Sequence, residues 1–121
     1  MVTFALSHLS DHTLLRDLAS LVTRDRTTTA ELLAHLAEVD ERRLYLPAAY
    51  PSMYMYCVQE LRMSEDAALM RIRAARAARE FTAILSAVAD GRLHLTAVVL
   101  LAPHLRADTA DELLAAAGHK S

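Results

Sequence analysis

Residues 10–44, SDHTLLRDLASLVTRDRTTTAELLAHLAEVDERRL, decide the fold of this chain. Ser10 is a good helix N-cap, and Asp11 places a carboxylate in the first turn, where it interacts favourably with the helix dipole. Apolar residues then recur every three or four positions, which is the spacing of one face of an α-helix. They are Leu14, Leu18, Leu21, Val22, Leu32, Leu36 and Val39. The pattern predicts one amphipathic helix from residue 11 to about residue 44.

A second interpretation breaks this helix in the middle. Thr27, Thr28 and Thr29 are three stiff β-branched residues in a row, and Thr28 with Glu31 fits a capping box that would start a new helix. We favour the continuous helix. It would be roughly 50 Å long at 1.5 Å per residue, whereas a compact domain of 121 residues has a radius of gyration of about 14 Å.

A helix of that length overhangs its own domain and leaves leucines exposed, so a partner is needed to cover them. The simplest partner is a second copy, and the sequence therefore predicts a homodimer. The predicted interface residues are Leu14, Leu18, Leu21, Leu32, Leu36 and Val39.

The composition favours an all-α protein. Hydrophobic residues make up 54% of the chain, and there are only 2 glycines and 3 prolines, which excludes most β architectures and any glycine-rich nucleotide loop. We expect a single domain of six to seven helices. Residues 1–46 would form the long N-terminal helix region, and residues 47–121 a bundle resembling a helix-turn-helix.

The shorter helices are placed by capping and helix-stopping residues. In chain order we predict a helix capped by Ser52 running to Leu61, one capped by Ser64 running to Glu80, one over residues 82–89 closed by Gly91, one capped by Thr96 and ended by Pro103, and one capped by Asp108 or Thr109 and closed by Gly118. The stretch 97–102 is apolar all round, which is typical of a core helix.

Residues 52–80 have the sequence pattern of a helix-turn-helix: a short helix, a turn, and a second helix capped by Ser64. In proteins that bind DNA through this motif, the second helix enters the major groove. This segment is rich in arginine although the whole chain has a net charge of −2. Arginine suits contacts with phosphate and guanine, so the predicted DNA-binding residues are Arg62, Arg71, Arg73, Arg76 and Arg79.

Two features favour an ordinary helical hairpin with a solvated arginine face instead. Arg62 stands in the turn where glycine is usual, and Glu65 and Asp66 place negative charge at the helix end that normally approaches DNA.

A second cluster of interest is aromatic. Tyrosine can bond phosphates or stack on bases, but we favour a small aromatic core around the connector 47–51. Its members are Tyr45, Tyr50, Tyr54 and Tyr56.

The residues indicate no catalysis, cofactor, metal site or small-molecule substrate. The histidines lack convincing zinc spacing, and Asp40 and Glu41 are adjacent and so point to different helix faces, as do Asp111 and Glu112. Cys57 is the single cysteine of the sequence, so an internal disulfide is excluded, and we expect its thiol to be buried. Without a signal-peptide pattern or an apolar run of about 20 residues, we expect a cytoplasmic protein with no membrane contact.

Several ordered strings resemble the N-terminal helical region of bacterial HNH endonuclease-like proteins of the myxobacterial type. They are residues 31–40 (ELLAHLAEVD), 43–45 (RLY), 50–52 (YPS), 61–65 (LRMSE), 91–95 (GRLHL), 102–105 (APHL) and 119–121 (HKS). The layout of residues 64–101 is also similar to the helix-turn-helix region of ParB-like partition proteins, although Thr82 stands where both families tend to have proline.

The resemblance implies a non-catalytic domain that binds DNA and positions a C-terminal nuclease module. That module is not among these residues, so no catalytic residue is carried over. The alternative function is a helical homodimerisation or protein-interaction module that binds no nucleic acid.

Overall fold

The structure, a computed structural model, describes residues 4–106, Ala110 and residues 113–115, and it is helical without a strand in that part of the chain. The elements are α1 (Asp11–Arg42), α2 (Met53–Met55) continued by a π-helical turn (Tyr56–Glu60), α3 (Glu65–Glu80), α4 (Ala83–Ala89), and α5 (Leu95–Leu101) continued by a 3-10 turn (Ala102–His104). The predicted all-α class, with a long first helix followed by shorter ones, is confirmed.

Helix α1 is continuous over 32 residues, about 48 Å at 1.5 Å per residue. The Ser10 side chain accepts a hydrogen bond from the Thr13 N–H at 3.2 Å, so the predicted N-cap is confirmed. The hydroxyl of Thr27 donates to the Thr23 carbonyl at 3.2 Å, one turn back. Back-bonding of this kind satisfies a threonine hydroxyl inside a helix. The interpretation with a new helix starting at Thr28 is therefore wrong.

The end of α1 is set by Arg43 rather than by Pro47. Arg43 adopts a left-handed conformation (φ 53°), and its N–H donates to the carbonyls of Val39 and Asp40. The helix consequently ends before the proline can interrupt it.

The other caps agree with the sequence except at α5. Ser52 accepts from the Met55 N–H and Ser64 from the Ala67 N–H, both at 3.1 Å. Thr96 was predicted to cap α5, but the helix begins at Leu95, and His94 is the N-cap residue without a side-chain hydrogen bond. The helix predicted from Asp108 or Thr109 to Gly118 lies largely outside the described residues. The described residues of that segment, Ala110 and 113–115, are helical.

Helix α3 lies at the centre of the bundle and packs on α1 and α5, with smaller contacts to α2 and α4. Its buried side chains are nearly all alanine, which permits close approach of neighbouring helices. They are Ala68, Ile72, Ala74, Ala75, Ala77 and Ala78. The largest fully buried side chains around it are Leu33, Ile84, Val98 and Cys57.

Only the C-terminal part of α1 belongs to this core. Ala30 is the first buried residue of the helix, followed by Leu33, Leu36 and Ala37. In the preceding part, residues 11–28, every side chain except the half-buried Thr13 is exposed. The predicted overhang of α1 is therefore present.

Candidate interaction surfaces

The overhanging part of α1 carries an exposed apolar surface, which we call the leucine stripe. Its side chains are between 40% and 66% exposed, and none of them belongs to the core of the described chain. The stripe consists of Leu14, Leu15, Leu18, Leu21 and Val22. Leu15 was not in the predicted interface, although it lies three residues before Leu18 and so fits the same spacing.

The stripe does not extend along the whole helix as the predicted interface did. Leu36 is 4% exposed and lies in the chain's own core, while Leu32 and Val39 are partly buried against that core. Their periodicity comes from packing within the chain. The exposed part of the predicted interface is Leu14, Leu18 and Leu21.

The stripe is symmetric in sequence about its central residue. Leu14 and Val22 both lie four residues from Leu18, and Leu15 and Leu21 both lie three residues from it. Because these offsets place residues on one helix face, the pattern reads the same from either end of the helix.

Two of the five predicted DNA-binding arginines are held by carboxylates of α1. Arg76 donates to both carboxylate oxygens of Asp40, from Nε at 2.9 Å and from Nη2 at 3.2 Å. Arg79 pairs with Glu38 at 3.2 Å and with Glu41 at 3.4 Å. We call these five residues the ion-pair clamp. It fastens the C-terminal part of α1 to α3, which sequence spacing could not show.

The electrostatics of the ion-pair clamp follow from these contacts. Hydrogen bonds from Arg42, at 2.7 Å, and from Arg79 hold the pKa of Glu38 below its usual value. The hydrogen bond to Asp40 raises the pKa of Arg76. Glu38, Glu41 and both arginines are exposed, so solvent screens these pairs and each contributes little to stability; only the Asp40 side chain is mostly covered.

The other three arginines, Arg62, Arg71 and Arg73, have no ion pair with any residue that the structure describes. They do not form one surface. Arg71 and Arg73 are two positions apart, about 200° around the helix, and they line different cavities. Arg62 lies in the turn before α3.

The turn between the π-helical turn (Tyr56–Glu60) and α3 contains Arg62. Arg62 adopts a left-handed backbone with φ 58°, at the position where glycine is usual. The first turn of α3 is nevertheless acidic: partial burial, together with the nearby carboxylates of Glu65 and Asp66, raises the pKa of Tyr54. That end of the helix therefore repels a phosphate backbone.

The tyrosines form structural contacts. The rings of Tyr50 and Tyr56 meet edge to face with centroids 5.6 Å apart. The Tyr50 hydroxyl donates to Glu60 at 3.0 Å, and this hydrogen bond raises the pKa of Tyr50. Tyr45, Tyr54 and Tyr56 pack against the core. This geometry favours the aromatic core around the connector over a base-stacking surface.

The nucleophile and metal candidates give no site in the described ranges. Cys57 is fully buried, and burial raises the pKa of its thiol, which disfavours the reactive thiolate. Residues 4–106, 110 and 113–115 contain no group of three metal-ligating side chains in position to share an ion. Within the same ranges, no helix combines the length and apolar character that crossing a bilayer requires.

Comparison of the chain with protein-family models, with curated proteins and with solved structures finds no match. The resemblance to HNH endonuclease-like proteins therefore stays a prediction from the sequence.

Proposed function

We propose that this chain is a self-association module whose overhanging helix pairs with the same helix of a second copy. The observation that carries the proposal is the leucine stripe, five large apolar side chains on a helix segment with no packing partner in the described chain. A continuous exposed apolar surface of this kind marks an interaction site.

The symmetry of the stripe favours a second copy as the occupant. If two helices cross antiparallel with the twofold axis at Leu18, Leu14 meets Val22 of the partner and Leu15 meets Leu21 of the partner. Each apolar residue then faces an apolar residue, as an isologous interface requires. The stripe is thus complementary to itself without any change of register.

Net charge and the helix dipoles favour the antiparallel orientation. Asp11 precedes the stripe, and the triplet Arg24, Asp25 and Arg26, with net charge +1, follows it. With the axis at Leu18, antiparallel helices bring Asp11 of one copy opposite the partner's triplet centred on Asp25, whose net charge is +1. Parallel helices instead bring Asp11 to Asp11 and set the two triplets against each other. The antiparallel arrangement also points the two helix dipoles in opposite directions, which is the favourable orientation for dipoles that lie side by side.

Replacing Leu18 by aspartate tests this proposal. We expect the wild-type chain to dimerise at micromolar concentration and the Leu18→Asp variant to be at least about 100-fold weaker, because the change removes apolar burial from both copies and sets two carboxylates against each other at the axis. Sedimentation velocity at several concentrations measures this, and circular dichroism verifies that the helix content is kept.

The matched control is Leu100→Asp, since Leu100 is 68% exposed on α5, outside the stripe. It should associate like the wild-type chain. A wild-type chain that stays monomeric at high micromolar concentration would refute the proposal, as would equal loss of association in both variants.

DNA contact is the second candidate function, favoured by the left-handed backbone at Arg62 and by the guanidinium of Arg73, which has no ion pair within the described part of the chain. In this function the chain would bind DNA without cutting it, in line with the family resemblance. Arg76 and Arg79 contribute less, because leaving the ion-pair clamp would expose Asp40 and Glu38 to the phosphates.

Salt dependence tests the second candidate. We expect duplex DNA affinity to fall with salt, and the Arg62→Ala/Arg73→Ala variant to reduce the log–log slope by about 1.8, at about 0.9 per phosphate contact. Fluorescence anisotropy measures both, with Arg16→Ala as the control on the far part of α1. Absence of binding at low salt, or an unchanged slope in the double variant, would exclude this function.

A further inference from the structure

A cavity of about 270 Å³ lies where the overhanging part of α1 joins the body of the fold. It is separate from the leucine stripe and from the ion-pair clamp. Its walls come from α1, from α3, and from α4, α5 and the loop between them. The lining includes Arg26, Thr29, Arg71, Gly91 and His94.

Arg26 and Arg71 line this cavity from different helices, and the guanidinium of Arg26 lies beside Gly91. Neither Arg26 nor Arg71 has a carboxylate within ion-pair distance among the described residues, although Asp25 also lines the cavity. By contrast, Arg76 and Arg79 are both neutralised by carboxylates of α1. Two like charges at one concave site are mutually repulsive until an anion lies between them.

The guanidinium of Arg26 is positioned by the backbone of Gly91. A Cβ atom at Gly91 would lie 2.8 Å from both Cζ and Nη1 of Arg26, so the guanidinium packs against the space that a side chain would occupy. Gly91 also has a φ of +82°, which favours glycine. The sequence marked Gly91 only as a helix stop; the structure gives it this second role.

We propose that this cavity binds a phosphate group through Arg26 and Arg71. Arginine forms paired hydrogen bonds with phosphate oxygens, and a threonine hydroxyl and a histidine ring N–H, here those of Thr29 and His94, are further donor groups in the lining. The cavity is slightly below the usual volume range of ligand pockets, about 300–1,000 Å³, which suits a single phosphate group better than a large cofactor. A cavity of this volume admits one phosphate group at a time, so the source that we propose is a free phosphate or a small phosphomonoester.

Titration with inorganic phosphate tests the site, with backbone amide shifts in NMR spectra as the readout. We expect saturable shifts at Gly91 and Thr29 in the wild-type chain and at least tenfold weaker binding in Arg26→Ala/Arg71→Ala. The matched control Arg73→Ala removes an arginine of α3 that lies outside the cavity and has no ion pair with a described residue, and it should bind like the wild-type chain. Arg26→Ala alone, at an exposed side chain, provides a second variant if the double variant unfolds.

A short duplex DNA in place of phosphate separates the two sources of the group. We expect the duplex to leave the Gly91 resonance unshifted. The proposal is overturned if phosphate gives no saturable shift, if the double variant binds as tightly as the wild-type chain, or if only the duplex shifts Gly91 in a manner that depends on Arg26 and Arg71.

Discussion

The Leu33→Ala variant should lose about 2–5 kcal/mol of the free energy of unfolding, the usual cost of removing a fully buried leucine. Leu33 is 0% exposed and lies on α1 where this helix packs against α3 and α4. The truncation loses the favourable transfer free energy of burying the side chain and leaves a cavity between packed helices. The alanine side chains of α3 are too short to fill that cavity. Urea denaturation followed by circular dichroism measures the loss.

Leu15→Ala is the matched control, because it makes the same chemical change on the same helix at a residue that is 66% exposed. At a concentration where the chain is monomeric, its stability should stay within about 0.5 kcal/mol of the wild type. At higher concentration it should weaken self-association. Equal losses of stability in the two variants would contradict the division of α1 into a core part and an overhanging part.

The Thr29→Pro variant should cost about 3 kcal/mol or more, because proline removes a hydrogen bond inside α1 and its ring clashes with the carbonyl of Asp25. The result discriminates sharply between the two interpretations of residues 27–29. If a new helix began with Thr28 as its N-cap, position 29 would be the first helical residue, where proline is favoured. Urea denaturation gives the cost, and sedimentation velocity shows whether association is lost with it.

The Thr28→Ala variant should change the free energy of unfolding in the opposite direction. In a continuous helix, alanine at an exposed interior position is neutral or stabilising by a few tenths of a kcal/mol, whereas the loss of an N-cap threonine costs about 1 kcal/mol. We therefore expect Thr28→Ala to be at least as stable as the wild type. A clear destabilisation by this variant, together with tolerance of Thr29→Pro, would show that α1 is broken.

The long helix and its overhang were predictable because they depend on local rules. The apolar spacing indicates a helix, and the Ser10 cap fixes its start. The length of that helix exceeds the diameter of a compact domain of 121 residues, so part of it must extend beyond the core. The caps at Ser52 and Ser64 follow from the same local chemistry.

The boundary between the core and overhanging parts of α1 was not predictable from periodicity. Leu21 and Leu32 belong to one apolar pattern, yet Leu21 is exposed and Leu32 is partly buried. Which part of a stripe is covered depends on where the other helices lie, and that is a property of the whole fold. The side-chain pattern shows which face of a helix is apolar, but it does not show how much of that face is buried.

The pairing of Arg76 and Arg79 was also beyond the reach of sequence reasoning. Asp40 precedes Arg76 by 36 positions, so their contact depends on how α1 and α3 cross. A count of arginines in a window measures composition, whereas the availability of each guanidinium depends on its neighbours in space. The same reasoning applies to Arg26 and Gly91, which only the fold brings together.

The rigidity of α1 sets a distance. Ala30, where the body begins, is 12 residues from Leu18, about 18 Å along an unbroken helix. Antiparallel pairing about Leu18 would hold the two bodies at opposite ends of the paired rods, with their Ala30 residues about 36 Å apart along the helix axis. The helix would then act as a ruler between two bodies, and inserting or deleting residues between 22 and 30 would change both the spacing of the bodies and their relative rotation.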